Sequence, residues 1–152
     1  MIEELHQKKP FTHAEEELYL SLIRTADMLT RHASRLLKEV SISHAQYNVM
    51  RILRGAGADG LPCGEISARL ITRDPDVTRL LDRLATRGLV IRGRSTGDRR
   101  VVSARITEAG LALLADLDKP VLDGHKEQFG SLSENEIQDM LAALTKVREK
   151  LG

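Results

Sequence analysis

Apolar residues recur at helical spacing at both ends of the chain. Residues 12–40 predict one long amphipathic helix and residues 108–151 predict two, because their apolar positions fall three and four residues apart. In the first segment the apolar stripe consists of Leu18, Leu22, Leu29, Ala33, Leu36 and Leu37. These helices carry more apolar surface than a compact centre can cover, and such helices often pack against a partner.

Local signals mark where the helices begin and end. Three segments have the S/T-x-x-E/Q spacing of a capping box, which predicts a helix start: Thr12–Glu15, Ser43–Gln46 and Ser133–Glu136. Pro120 lacks a backbone N–H and its ring clashes with the preceding turn. It is therefore expected to kink or end the helix that follows Thr107.

The segment between the long helices, residues 43–106, predicts three helices in succession. The first spans Ala45–Gly55 and the second, a short one, spans Cys63–Leu70. The third starts with Asp74 as its cap and ends at Gly88, a residue suited to a left-handed C-terminal position. Its apolar face consists of Val77, Leu80, Leu81 and Leu84.

A basic hairpin follows the third helix. Strand-like runs at Val90–Arg92 and Val101–Ile106 flank a polar tip at Arg94–Arg100, and Leu61 is placed to add a third strand. Two helices joined by a short turn and followed by such a hairpin form a winged helix-turn-helix, which suits a DNA groove and its backbone. The predicted fold class is mainly α with a small β-wing, in one domain of residues 1–152.

Charge is distributed unevenly along the chain. Residues 61–106 contain ten arginines, no lysine and five acids, a net charge of +5, although the whole chain carries only +1. Such a block indicates a polyanionic partner, the alternative being a solvated surface. Aromatic residues make up 3% of the chain and tryptophan is absent, which argues against stacking on single-stranded bases.

Composition excludes several other classes. The single cysteine, Cys63, allows neither an internal disulfide nor a cysteine-cluster metal site. No nucleophile–base signature, phosphate-binding glycine loop or HExxH pair occurs, so we expect no catalytic residue, metal or cofactor. No run of about 18 apolar residues and no signal-peptide core is present, so the expected location is the cytoplasm and no membrane is involved.

The central motifs identify a family. The run Val77-Thr78-Arg79-Leu80, then Asp82-Arg83-Leu84 and Arg87-Gly88-Leu89-Val90, followed by Asp98-Arg99-Arg100 and Ile106-Thr107-Glu108-Ala109-Gly110, resembles the MarR family of transcriptional regulators. The resemblance implies a homodimer with dimerisation helices at residues 12–40 and 108–151 and DNA-binding lobes at residues 43–106. It also implies a pseudo-palindromic operator with half-sites roughly 34–36 Å apart. Repression would be relieved by a small, often phenolic or anionic aromatic, effector.

The resemblance and the chemistry of the residues together assign DNA contacts. Arg100 matches the wing-tip arginine that enters the minor groove, Asp98 orients it, and Arg99 stands beside it; the alternative is that Asp98 only forms the turn. Thr78 and Arg79 face the major groove, whereas Arg73 and Arg94 are expected to contact phosphates.

For three residues of the third predicted helix, the sequence leaves more than one role possible. Asp76 reads a cytosine amino group, holds an arginine such as Arg73, or faces away. Arg83 and Arg87 either face DNA or pair on the surface with Asp82 or Asp98.

An effector pocket is expected near His32, His44, Tyr47 and Arg51, each of which has a structural alternative. Cys63 raises a redox-responsive alternative, because a helix N-terminus lowers the pKa of a thiol. Another alternative is a winged helix that binds protein or RNA without operator specificity.

Overall fold

The computed structural model describes residues 3, 4, 6–72, 76–94 and 102–152. The elements in chain order are α1 (Ala14–Glu39), α2 (His44–Ala56), β1 (Leu61–Pro62), α3 (Cys63–Arg69), α4 (Val77–Thr86), β2 (Val90–Arg94), β3 (Val102–Ile106), α5 (Glu108–Phe129) and α6 (Glu134–Leu151). This mainly helical architecture with a small sheet confirms the predicted fold class.

The segment of residues 43–106, here called the central lobe, contains a three-stranded antiparallel sheet in the order β1-β3-β2. Leu61 pairs with Ala104 and Val90 pairs with Ile106, so the third strand predicted at Leu61 is confirmed. Leu61, Val90 and Ala104 are buried in the same core as α2 and α4. The sheet therefore anchors the base of the hairpin to the helices.

Helix α4 buries one face and exposes the other. Val77, Leu80, Leu81 and Leu84 are buried as the sequence predicts. Burial of a side chain of this size contributes about 1.5–3 kcal/mol, so this face fixes which residues point outwards. The predicted start at Asp74 was wrong, because the helix begins at Val77 and the carboxylate of Asp76 caps it by accepting the N–H of Arg79. Asp74 itself lies outside the described residues.

The predicted capping boxes of α2 and α6 are confirmed, but that of α1 is wrong. Ser43 and Ser133 each accept the N–H three residues later, and the side chains of Gln46 and Glu136 bond back. Helix α1 begins at Ala14 after His13, whose side chain makes no capping bond. The start lies one residue beyond the one that a box at Thr12 predicts, and three acids in the first turn, Glu15, Glu16 and Glu17, complement the helix dipole instead.

Pro120 does not end its helix. Helix α5 continues through it to Phe129. Leu114 and Leu117 are buried before the proline and Val121 packs against the core after it, so packing on both sides holds the chain helical.

The long helices keep apolar side chains exposed. Helix α6 has no buried residue and α1 has one, Leu37. None of the helices within the described ranges is long and apolar enough to cross a membrane.

Candidate nucleic-acid interface and adjoining cavity

The outer face of α4 presents Thr78 and Arg79 to solvent. The side chain of Arg79 is 78% exposed, and its Nε lies 3.0 Å from one carboxylate oxygen of Asp76. The other oxygen of Asp76 accepts the backbone N–H of Arg79 at 3.0 Å. Asp76 therefore both caps the helix and holds an arginine, the second of the three roles open to it from sequence, with Arg79 as the partner.

The residue that follows α3 and its cap is held by a contact that the sequence did not reveal. The side-chain oxygen of Asn48, in α2, accepts the backbone N–H of Ile71 at 3.0 Å. Because α2 belongs to the buried core, this bond holds Ile71 against α2.

Surface contacts around α4 differ from those considered from sequence. Asp82 forms an ion pair with Arg92 of β2, which joins the helix to the hairpin. Arg87 donates to the carbonyl oxygens of Ser41 and Val40, at 2.6 and 3.0 Å. The suggested pairing of Arg87 with Asp82 was therefore wrong, because Arg87 contacts the end of α1 instead.

The wing is described at its base only. Arg94 is the last residue of β2 and pairs with Val102 of β3. Four of the predicted DNA contacts, Arg73, Asp98, Arg99 and Arg100, lie outside the described residues.

A cavity of about 300 Å³ lies between α1, α2 and α5. His32, His44 and Tyr47 line it, so three of the four predicted pocket residues come together. Arg51 is not among the lining residues; its guanidinium carbon lies 5.9 Å from the centroid of the Tyr47 ring, within the range of a cation–π contact.

Sequence reasoning missed the part of the cavity that α5 provides. His125, Asp123 and Glu127 line it from beyond Pro120. A helix expected to kink or end at the proline offered no reason to place His125 in the same cavity as His32. The hydrogen bond from Lys119 lowers the pKa of Asp123, so this acid remains ionised and paired.

A bidentate ion pair joins α2 to α5 close to the cavity. The two terminal nitrogens of Arg54 donate to the carboxylate oxygens of Asp118 at 2.8 and 2.9 Å. This hydrogen bonding lowers the pKa of Asp118 and raises that of Arg54. The pair links α5 directly to α2.

No group of three or more His, Cys, Asp or Glu side chains in the described ranges is arranged to hold a metal ion. Cys63, at the start of α3, is a half-buried free thiol. The candidate site thus consists of the exposed face of α4 and the basic base of the hairpin, and a separate cavity lies between α1, α2 and α5.

Comparisons with known proteins agree with this geometry. The model of the MarR family matches residues 42–102. The HTH-type transcriptional regulator PrsX of Escherichia coli is 30% identical over 144 residues, which cover 93% of this chain and 86% of that protein.

Two solved structures are also similar. A MarR transcription factor from Planctomyces limnophilus is 38% identical with a TM-score of 0.69, covering 92% of this chain and 98% of that one. A mutant MarR from E. coli, with a serine in place of one cysteine and solved in complex with operator DNA, is 25% identical with a TM-score of 0.80, covering 91% of this chain and 99% of that one.

Proposed function

Because this chain belongs to the MarR family of transcriptional regulators, we propose that it is a repressor that binds a pseudo-palindromic operator as a homodimer and is released by a small molecule. Its relatives regulate transcription and the protein is not an enzyme. Its place of action is the compartment that holds the operator, the cytoplasm.

The observation that carries this proposal is the two-sided character of α4. One face is buried in the core, and the other exposes Thr78 together with an arginine that Asp76 holds at its N-terminal end. An arginine can bind the O6 and N7 atoms of guanine, and a threonine can contact a phosphate or a thymine methyl group. The ion pair with Asp76 restricts the guanidinium before binding, which reduces the entropy lost on contact.

The exposed apolar faces support a homodimer. Large apolar side chains remain exposed on α1, including Leu18, Tyr19 and Ile23, and on α6, including Met140 and Leu141. A groove at the start of α6 is lined only by apolar residues: Phe129, Leu132, Ile137, Met140, Leu141 and Leu144. In a two-fold dimer that buries these faces, the two α4 helices would be related by symmetry, as the two halves of a palindrome are.

The cavity supports an effector site. Its lining combines apolar residues such as Leu36 and Val121 with three imidazoles, those of His32, His44 and His125. Imidazole N–H groups donate hydrogen bonds to phenolic or carboxylate oxygens. The ligand class that this lining fits is a small aromatic compound with one acidic group, held between the lobe and the long helices.

Selection of binding sites from random double-stranded DNA tests the proposal. We expect the enriched sequences to contain inverted half-sites about one helical turn apart, and Thr78→Ala or Arg79→Ala to change the preferred bases. Enrichment of no motif, with binding of RNA or protein instead, would favour a winged-helix module without operator specificity.

A further inference from the structure

We propose that Arg87 is the positioning residue that fixes α4 against α1 and thereby sets the separation of the two α4 helices in the dimer. The inference rests on the proposed operator binding. It starts from two hydrogen bonds: Nη1 of Arg87 donates to the carbonyl of Ser41 at 2.6 Å, and Nη2 donates to that of Val40 at 3.0 Å.

The end of α1 is built to receive these donors. Ser41 has a φ of 55°, and the N–H groups of Ser41 and Ile42 bond to the carbonyls of Lys38 and Leu37 at 3.0 Å each. This is a Schellman motif, which leaves the next carbonyls, those of Val40 and Ser41, pointing beyond the helix. The planar fork of an arginine can bind two such oxygens at once, whereas the ammonium of a lysine cannot reproduce its geometry.

The end of α4 has the same motif and a second connection. Gly88 has a φ of 68°, and Gly88 and Leu89 bond back to Ala85 and Leu84. The hydroxyl of Thr107, the N-cap of α5, donates to the carbonyl of Gly88 at 2.7 Å. The C-terminal end of α4 is therefore hydrogen-bonded to the ends of α1 and α5, two of the three helices that line the cavity.

If α4 tilts about its C-terminal end, its N-terminal end is displaced the most. Helix α4 has ten residues, which corresponds to a length of ~15 Å. A tilt of ~10° about its C-terminal end would move its N-terminal end by ~2.6 Å. Hydrogen bonds to base edges tolerate a displacement of only about 0.3 Å. The residue that limits this tilt is thus a determinant of where Thr78 and Arg79 meet the bases.

The geometry favours a positioning role for Arg87 over a phosphate contact. Both terminal nitrogens are bound to backbone carbonyls of the protein. Arg87 also lies eight residues beyond Arg79 in the sequence, a rise of ~12 Å along a helix axis. Its effect on DNA binding therefore passes through the orientation of α4.

The experiment compares the full chain with Arg87→Ala and Arg87→Lys. Arg35→Ala is the matched control, because Arg35 is an exposed arginine of α1 and its loss removes the same charge. Operator affinity is measured over a salt series and over operators whose half-sites are moved apart or together one base pair at a time. Thermal unfolding and light scattering establish that each variant is a folded dimer.

We expect both Arg87 variants to bind the operator about tenfold more weakly than the wild type, the scale of losing charge-assisted hydrogen bonds. Their preference for one half-site spacing should broaden, and their salt dependence should match that of the wild type. Arg35→Ala should keep the wild-type spacing preference.

Three results would overturn the inference. One is wild-type affinity and spacing preference in Arg87→Ala, and another is full restoration by Arg87→Lys, which would assign the effect to charge alone. The third is a fall of about 0.9 in the salt slope, which would identify a phosphate contact. If the wild type itself binds no palindrome, the proposed function fails as well; if it binds one and the Arg87 variants behave identically, this inference alone fails.

Discussion

The carboxylate of Asp118 binds both terminal nitrogens of Arg54 in a fork-to-fork pair, and this pair joins α5 to α2. The hydrogen bond from Arg54 holds the pKa of Asp118 below the ordinary value of 3.8. A carboxylate with a lowered pKa in the folded state contributes stability above the pKa of the unfolded chain. That contribution is lost as the pH falls through the folded-state pKa.

Asp118→Asn is therefore expected to destabilise the protein near neutral pH and to have a smaller effect at about pH 3, below the pKa of the unfolded chain. The loss should stay below about 1 kcal/mol, because half of the Asp118 side chain is exposed and solvent screens the pair. Denaturant unfolding at the two pH values measures it, with Asp116→Asn, an exposed acid of α5, as the control. An equal loss at both pH values would contradict the linkage.

Ser41 and Gly88 occupy the same position in two Schellman motifs and should respond in opposite directions. Ser41 has a φ of 55°, a left-handed conformation that is strained for a residue with a Cβ. Ser41→Gly removes the Cβ and should therefore stabilise the fold by up to about 1 kcal/mol. Gly88→Ala places a Cβ at φ 68°, where it meets no atom within 4 Å, so it should destabilise by about 1–2 kcal/mol through backbone strain alone. Urea midpoints measure both, and changes of the same sign would be inconsistent with this reading.

Gly110 marks a close approach between α5 and the hairpin. A Cβ there would lie 2.3 Å from the carbonyl oxygen of Leu89 and 2.7 Å from Cγ1 of Ile106. Gly110→Ala should therefore cost about 3 kcal/mol or more, because backbone on one side cannot move freely. Gly124→Ala in the same helix meets nothing within 4 Å and should stabilise by about 0.5–1 kcal/mol. Thermal unfolding of the two variants measures both changes in stability, and a Gly110→Ala variant as stable as the wild type would contradict the close approach.

The two roles of Asp76 can be separated by two substitutions. Asparagine caps a helix about as well as aspartate, so Asp76→Asn should leave stability within about 0.5 kcal/mol of the wild type. Asp76→Asn removes the ion pair with Arg79, and the protein should then discriminate less strongly between bases in its DNA site. Asp76→Ala should show the same loss of preference and, in addition, destabilise by about 1 kcal/mol. An unchanged base preference in Asp76→Asn would show that the ion pair does not orient Arg79 for binding.

Leu141 tests the apolar face of α6. Leu141 is 50% exposed in the single chain, so Leu141→Asp should leave the chain folded. If α6 forms the proposed dimer interface, the substitution should convert the dimer to a monomer, because it would bury a charge without a partner. Asn135→Asp adds the same charge to an exposed position of α6 and should stay dimeric. Light scattering measures the mass. If Leu141→Asp remains a dimer, the interface does not include this face of α6.

The parts of the fold predictable from sequence are those fixed by neighbours along the chain. The buried face of α4 follows from a three-and-four spacing, and the boxes at Ser43 and Ser133 from residues three positions apart. The end of α4 at Gly88 follows from one residue without a Cβ. Each of these signals acts within about two helical turns.

The parts that could not be predicted depend on distant residues. Arg87 binds carbonyls that precede it by 46 and 47 positions, and backbone oxygens leave no trace in a sequence. Pro120 lies within a helix because Leu117 before it and Val121 after it pack against the core. The same tertiary packing brings His125 to the cavity. A box at Thr12 failed because the adjacent His13 took the cap position.

The cavity is lined by α2 as well as by α1 and α5, so the proposed effector would contact a helix that packs against α4, the helix proposed to contact the operator. Coupling between two binding sites is reciprocal in free energy. A compound that weakens operator binding by a given factor must itself be bound more weakly, by that factor, when the protein is on its operator. On this proposal the dimer that is free of DNA would bind the compound more tightly, and the number of operators in the cell would set part of the concentration at which the compound acts.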